Sequence, residues 1–208
     1  MTEGRSPEMT CEIIGWGRVQ RLVRQLAERI RAEGFRPTTV VGIARGGLVP
    51  ARLLCDYFDV YELATLRIAH YRRGADRQAQ ARVAIPLCKS LNGERVLLVD
   101  DVADTGDSFE KALAHVRGFG PAVLRTAVLH HKVVSSYRPD FWAQRIVRWR
   151  WLVYPWALLE DLAGFIERMP DRPDDLPGLA KRLQSEYKLK VSEQALRDAQ
   201  RLYLRPDG

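Results

Sequence analysis

The chain has 208 residues, a formal net charge of +7, and 46% apolar and 28% charged side chains. A chain of this size and composition buries its own core, which excludes intrinsic disorder. No apolar run approaches the ~20 residues that span a bilayer, so a membrane protein is excluded too.

Residues 1–10 carry Glu3, Arg5 and Glu8 with no apolar stretch behind them, unlike a secretory signal. Cys11, Cys55 and Cys88 are odd in number and far apart. The four histidines show no metal-ligand spacing. Neither a disulfide framework nor a structural zinc site is expected, and a reducing cytoplasm is the simpler setting. The excess positive charge is concentrated: residues 66–95 hold seven basic and two acidic side chains, whereas 171–208 hold eight and seven.

Along the chain, Val19, Leu22, Val23, Leu26 and Ile30 repeat at helical spacing, which predicts a helix over 16–34 ending near Gly34. The β-branched run from Thr38 to Ile43 predicts a buried strand. Arg45-Gly46-Gly47 breaks it, and Leu48 to Phe58 fits a helix of about three turns. Tyr61 to Tyr71 reads as a strand, and the polar stretch 72–82 as a mobile loop. Val96 to Val99, followed by Asp100 and Asp101, predicts a central parallel strand. A turn over 104–108, a helix over 109–119 and a strand over 122–129 come next. Pro170, Pro173 and Pro177 mark a linker. Two short helices, Leu179 to Leu189 and Ser192 to Leu204, close the chain, the second with Ser192 as N-cap.

Strands alternating with helices predict an α/β fold with a mostly parallel, twisted sheet flanked by helices. In such sheets ligands bind beyond the carboxyl ends of the strands. Two turns fall there.

The stronger signal is the segment from Val96 to Ser108. An apolar strand ends in two acids, and Asp104-Thr105-Gly106-Asp107-Ser108 leads straight into a helix. Amides at that helix start, with the Thr105 and Ser108 hydroxyls, make a phosphate cradle. The Asp100 and Asp101 carboxylates suit the vicinal hydroxyls of a ribose. Together they describe a ribose 5-phosphate. Asp107 is the odd member, because its charge must point away from the anion. In the second turn, Gly46 and Gly47 follow a strand and precede a helix, with Arg45 as a fixed charge for another anion.

These residues resemble the signature of the type I phosphoribosyltransferases, which bind 5-phosphoribosyl pyrophosphate (PRPP). The resemblance spans roughly residues 15–165. It implies that Asp104 to Ser108 hold the 5-phosphate, and that Asp100 and Asp101 hold the ribose and a Mg²⁺ ion. By the same match Ala44, Arg45, Gly46 and Gly47 bind pyrophosphate, with a cis peptide at Ala44–Arg45.

Lys132, at the end of a strand, and the later run Trp151-Leu152-Val153 resemble the 6-oxopurine branch, above all the xanthine-guanine phosphoribosyltransferases. On that match Lys132 reads the purine O6, Trp151 stacks on the base, and the chain at Leu152 and Val153, through the Val153 backbone, meets its edge. Val153 stands where an acidic residue is found in the bacterial guanine/xanthine enzyme, so the choice among hypoxanthine, guanine and xanthine stays open.

The resemblance implies transfer of ribose 5-phosphate from PRPP to a 6-oxopurine, with Asp104 as acid/base, in a cytoplasmic homodimer or homotetramer. The chain then divides into a transferase domain, 1–168, with a hood over about 130–156, and a C-terminal helical extension, 169–208. Two rivals remain: a non-catalytic nucleotide-sensing regulator on this fold, and a transferase for adenine or a pyrimidine. The nearly neutral tail is poorly equipped for phosphate contacts, so a nucleic-acid partner is not expected.

Overall fold

The structure is a computed structural model and describes residues 9–71 and 80–203. It separates into two compact units: one from Gly17 to Arg148, the other joining the chain's start, through Trp16, to the segment from Trp149 onward.

The Gly17–Arg148 unit carries a six-stranded sheet. Its strands are β2 (Thr39–Ala44), β3 (Leu63–Tyr71), β4 (Gln80–Ile85), β5 (Arg95–Ala103), β6 (Val123–Lys132) and β7 (Phe141–Ile146). They lie in the order β4-β3-β2-β5-β6-β7. Every neighbouring pair is parallel except β3 with β4. The predicted sheet is therefore present, with one antiparallel edge strand.

That edge strand corrects the loop expected over 72–82. Gln80, Ala81 and Arg82 pair with β3, and residues 72–79 lie outside the described residues. β7 was not anticipated either.

Three helices serve this unit: α1 (Trp16–Ala32), α2 (Leu48–Phe58) and α3 (Asp107–Arg117). The apolar positions expected to face inward from α1 are all buried. Side chains alternate across a strand, and β2 uses both of its faces. Val41 and Ile43 pack with Phe109, Ala112 and Val116 of α3. Gly42 turns toward α2, where a Cβ would meet the Ala51 methyl at 3.2 Å. Helices thus cover both faces, and β5 runs apolar from Val96 to Val99, all fully buried, because neither face meets water there. This layering puts the starts of α2 and α3 side by side at the carboxyl ends of β2 and β5.

The second unit begins with β1 (Cys11–Ile13), which pairs in parallel with β8 (Trp151–Val153). Three helices follow: α4 (Leu158–Glu167), α5 (Leu176–Tyr187) and α6 (Glu193–Tyr203). Cys11, Val153, Leu162, Phe165, Leu183 and Leu196 share one buried core. The helices beyond residue 169 are thus packed into the same core as α4 and β8.

Local signals set the helix ends. The Asp175 carboxylate accepts the Gly178 amide at 2.7 Å with Pro177 in the first turn, and Ser192 Oγ accepts the Ala195 amide at 3.2 Å. Among the described residues no helix is long and apolar enough to cross a membrane.

Candidate active site

β2 and β5 end next to each other, so the two turns recognised in the sequence meet. They line one cavity of about 410 Å³. One wall is Ala44, Arg45 and Gly46, from the turn after β2. The other runs from Asp100 to Gly106 and on to Ser108 and Phe109. Asp107 is exposed and takes no part in this wall, so its charge is directed away from the cavity.

The first turn is tight for a steric reason. A Cβ on Gly47 would lie 2.4 Å from the Val99 carbonyl oxygen, and one on Gly46 would lie 2.3 Å from Asp101 Oδ2. Glycine lets the turn after β2 press directly against β5. The peptide bond Ala44–Arg45 is cis, at the position the resemblance implied.

The second turn gains its shape from Gly106, which caps α3 at φ +106°, a conformation that L side chains rarely adopt. Behind it α3 begins at Asp107, so the amides of its first turn lie at the cavity end of the helix, where the Asp107 amide also donates to Thr105 Oγ1 at 3.4 Å. An anion is favoured there by those donors and by the helix dipole.

The acid pair lies within β5, which continues to Ala103 rather than stopping at Val99. Asp100 is buried, 9% exposed, and its Oδ1 accepts the Asp101 amide at 2.9 Å. Burial pushes its carboxyl well above the usual carboxylate range. The neighbouring Asp101 charge adds to the rise, while the backbone amides of Asp101 and Gly47 oppose it. Two carboxylates this close favour any cation that neutralises them. Their donor set is oxygen alone, which suits a hard divalent ion completed by substrate oxygens and water. Among the described residues no group of three or more His, Cys, Asp and Glu forms a self-sufficient metal site. The residues fit Mg²⁺ held with substrate.

Lys132 closes β6 as one of the largest fully buried side chains, 2% exposed. Its ammonium reaches Oδ2 of Asp104 on the cavity wall, at 2.6 Å. The sequence suggested both residues separately but not their pairing.

In the other unit, Trp151 is exposed, so its indole is not core material. Val153 is fully buried, and its carbonyl accepts the Ile14 amide at 2.9 Å. The Trp151 amide donates to the Thr10 carbonyl, also at 2.9 Å. Both residues therefore turn their main-chain groups toward β1. By strand alternation those of Leu152 face the opposite edge of β8, which pairs with no strand among the described residues.

Sequence reasoning missed Ser136 and Tyr137, in the connection between β6 and β7. Ser136 donates to the Thr105 carbonyl twice, through its amide and its Oγ, each at 2.8 Å. Tyr137 stacks on Phe109 at 5.1 Å between ring centroids and shares a 3.0 Å hydrogen bond with Thr126. No motif announces such contacts, because their partners are a main-chain carbonyl and a core ring.

A mostly parallel sheet whose carboxyl ends bring two glycine-bearing turns around an acid pair suits a protein that handles a phosphorylated sugar. The chain belongs to the phosphoribosyl transferase domain family, whose model matches residues 12–160. It is similar to a purine phosphoribosyltransferase from Pyrococcus horikoshii, at 34% identity and a TM-score of 0.62, over 71% of this chain and 94% of that one. It is also similar to a xanthine-guanine phosphoribosyltransferase of Cereibacter sphaeroides, 28% identical over 151 residues, 70% of this chain and 86% of the relative. A Neisseria gonorrhoeae protein solved with bound ppGpp matches at 25% identity and a TM-score of 0.61, over 71% of this chain and 89% of that chain.

Proposed function

We propose that this phosphoribosyltransferase moves ribose 5-phosphate from PRPP to N9 of a 6-oxopurine, releasing pyrophosphate and a nucleoside monophosphate for purine salvage. The observation that carries the reading is the buried Lys132 ammonium, delivered to Asp104 at the wall of the phosphate-sugar cavity. A desolvated cation there rewards a base with an acceptor such as O6, and adenine offers an amino group instead. The purine relatives support the same choice.

In this reading Thr105, Gly106 and Ser108, with the amides at the start of α3, hold the 5-phosphate. Arg45 and the Gly46-Gly47 turn hold the departing pyrophosphate. Asp100 and Asp101 hold the ribose hydroxyls and Mg²⁺, which supplies charge neutralisation for the leaving group. The N9–C1 bond forms as the C1–O bond to pyrophosphate breaks, and the proton lost by the base passes to Asp104. Fixed donors aimed at the leaving group, with water kept out, stabilise the oxocarbenium-like state between the two. Trp151 supplies the stacking face. The chain at Leu152 and Val153 meets the base edge, and the Leu152 main-chain groups support this because they face away from β1.

The reading extends to a cytoplasmic homodimer or homotetramer. Its support is the set of free thiols at Cys11, Cys55 and Cys88 and the exposed apolar side chains of Tyr61, Leu63 and Ile85. Sedimentation measures the assembly.

Replacing Lys132 with Met tests the base assignment. Turnover with hypoxanthine or guanine should fall by about 10²-fold or more, because a buried group that pairs O6 is lost. Retained oxopurine turnover would sink the assignment.

A further inference from the structure

The 5-phosphate turn is held from behind by a segment the proposed chemistry does not use. Ser136 lies between β6 and β7, and both its amide and its hydroxyl donate to the Thr105 carbonyl at 2.8 Å. That carbonyl belongs to the peptide joining Thr105 to Gly106. The only cis peptide among the described residues is Ala44–Arg45, so this one is trans. In a trans peptide the C=O and the following N–H point in opposite directions. Holding the Thr105 oxygen toward Ser136 therefore directs the Gly106 N–H to the other side, where Gly106 lines the cavity.

The Ser136–Tyr137 segment presses close on the turn. A Cβ on Gly106 would lie 2.5 Å from Ser136 Oγ and 2.7 Å from the Tyr137 amide nitrogen. The segment is itself anchored. Tyr137 stacks on Phe109, and its hydroxyl meets Thr126 Oγ1 at 3.0 Å. Asp140 ties the other end by accepting the Thr126 amide and hydroxyl, each at 2.8 Å. A peptide free to rotate would present a carbonyl to the phosphate in some of its states, and a carbonyl repels an anion. Fixed orientation is what an anion cradle needs from its amides.

We infer that Ser136 is a positioning residue for phosphate binding, its hydroxyl locking the Thr105–Gly106 peptide so that the Gly106 amide faces the 5-phosphate. This rests on the reading of that turn as the 5-phosphate cradle. The hydroxyl acts through the peptide and touches no substrate.

The test is calorimetric binding of ribose 5-phosphate to the full chain, without base, alongside steady-state kinetics. Ser136→Ala should weaken ribose 5-phosphate and raise KM for PRPP by about 3- to 10-fold, the scale of one neutral hydrogen bond, with kcat changed less than twofold. Ser136→Thr keeps the hydroxyl, and because Ser136 is exposed its added methyl has room, so it should restore both values. Unchanged affinity in Ser136→Ala would overturn the inference while leaving the cradle in place. So would a loss that Ser136→Thr does not restore and that runs parallel to a fall in Tm, since that is a structural effect. If the wild-type protein itself fails to bind ribose 5-phosphate, the reading of the cradle falls, and the inference with it.

Discussion

The ammonium of Lys132 lies 2.6 Å from Oδ2 of Asp104, joining the last residue of β6 to the first residue beyond β5. The lysine is 2% exposed while the aspartate side chain is 33% exposed, so the buried charge leans on a partner that still meets solvent. A base entering the cavity does not meet two idle groups. On the proposed base assignment it exchanges with an existing ion pair, and a ligand that satisfies both members does so at least cost.

Removing the carboxylate's charge separates binding from chemistry. Asp104→Asn keeps the size of the side chain but not its ability to take a proton. We expect kcat to fall by ~10²–10⁴-fold, the usual contribution of a general acid or base. PRPP affinity should stay within about threefold, because in the proposed reading the phosphate is held by Thr105, Gly106, Ser108 and the helix amides. Unchanged turnover would remove Asp104 as the acid/base.

Trp151 is the exposed member of β8, and its role is read through KM. Trp151→Ala should raise KM for the base by about tenfold, since stacking on a planar base is worth ~1–3 kcal/mol. Folding should be little affected, because the indole is exposed and the buried core of its unit is built from Val153, Leu162 and Phe165. An unchanged KM with a lowered Tm would assign the indole to packing instead.

The turn after β2 admits no side chain at Gly47. An added Cβ would press on the Val99 and Ile43 carbonyls at 2.4 and 2.7 Å, both backbone and unable to step aside cheaply. Gly47→Ala should therefore destabilise the protein by about 1–3 kcal/mol in urea unfolding. Gly15→Ala is the control, since a Cβ there meets nothing within 4 Å. Equal midpoints for the two variants would contradict the close approach.

His131 gives a pH dependence of known sign. It is buried, 6% exposed, against Trp142, and its Nδ1 has no hydrogen-bond partner among the described residues. Burial lowers the folded imidazole below its usual value, and the Arg145 and Arg138 charges lower it further. The unfolded chain then binds the proton first. Stability is full above about pH 6.5, the unfolded value, and is lost as pH falls through the folded one. The urea midpoint of the wild type should drop more between about pH 7.5 and 5.5 than that of His131→Leu. Parallel curves would show that His131 carries none of the effect.

The elements that build the cavity were legible because local rules dictate them. The helix expected over Leu48 to Phe58 matches α2 end to end, since an apolar periodic run begins straight after two glycines. The strand before Asp100 was plain from four consecutive apolar residues, and the Ser192 cap from its position before a polar helix start.

What escaped depends on partners distant in sequence. β1 is three residues long and exists because it pairs with β8 from the far end of the chain. β7 alternates buried and partly buried positions only from Phe141 to Gln144, and Trp142 and Arg145 within it disguise the strand as part of a basic aromatic stretch. The Lys132–Asp104 pair joins residues 28 apart. Ser136 binds a backbone oxygen, which no side-chain pattern can announce.

The most direct test is release of pyrophosphate from PRPP and Mg²⁺ with hypoxanthine, guanine, xanthine, adenine and uracil supplied singly. Turnover with one or more of the three oxopurines, and with neither adenine nor uracil, is the expected result. Turnover confined to adenine or uracil would contradict the role given to Lys132. Folded protein that binds PRPP and turns over none of the five would contradict the assignment as an oxopurine transferase.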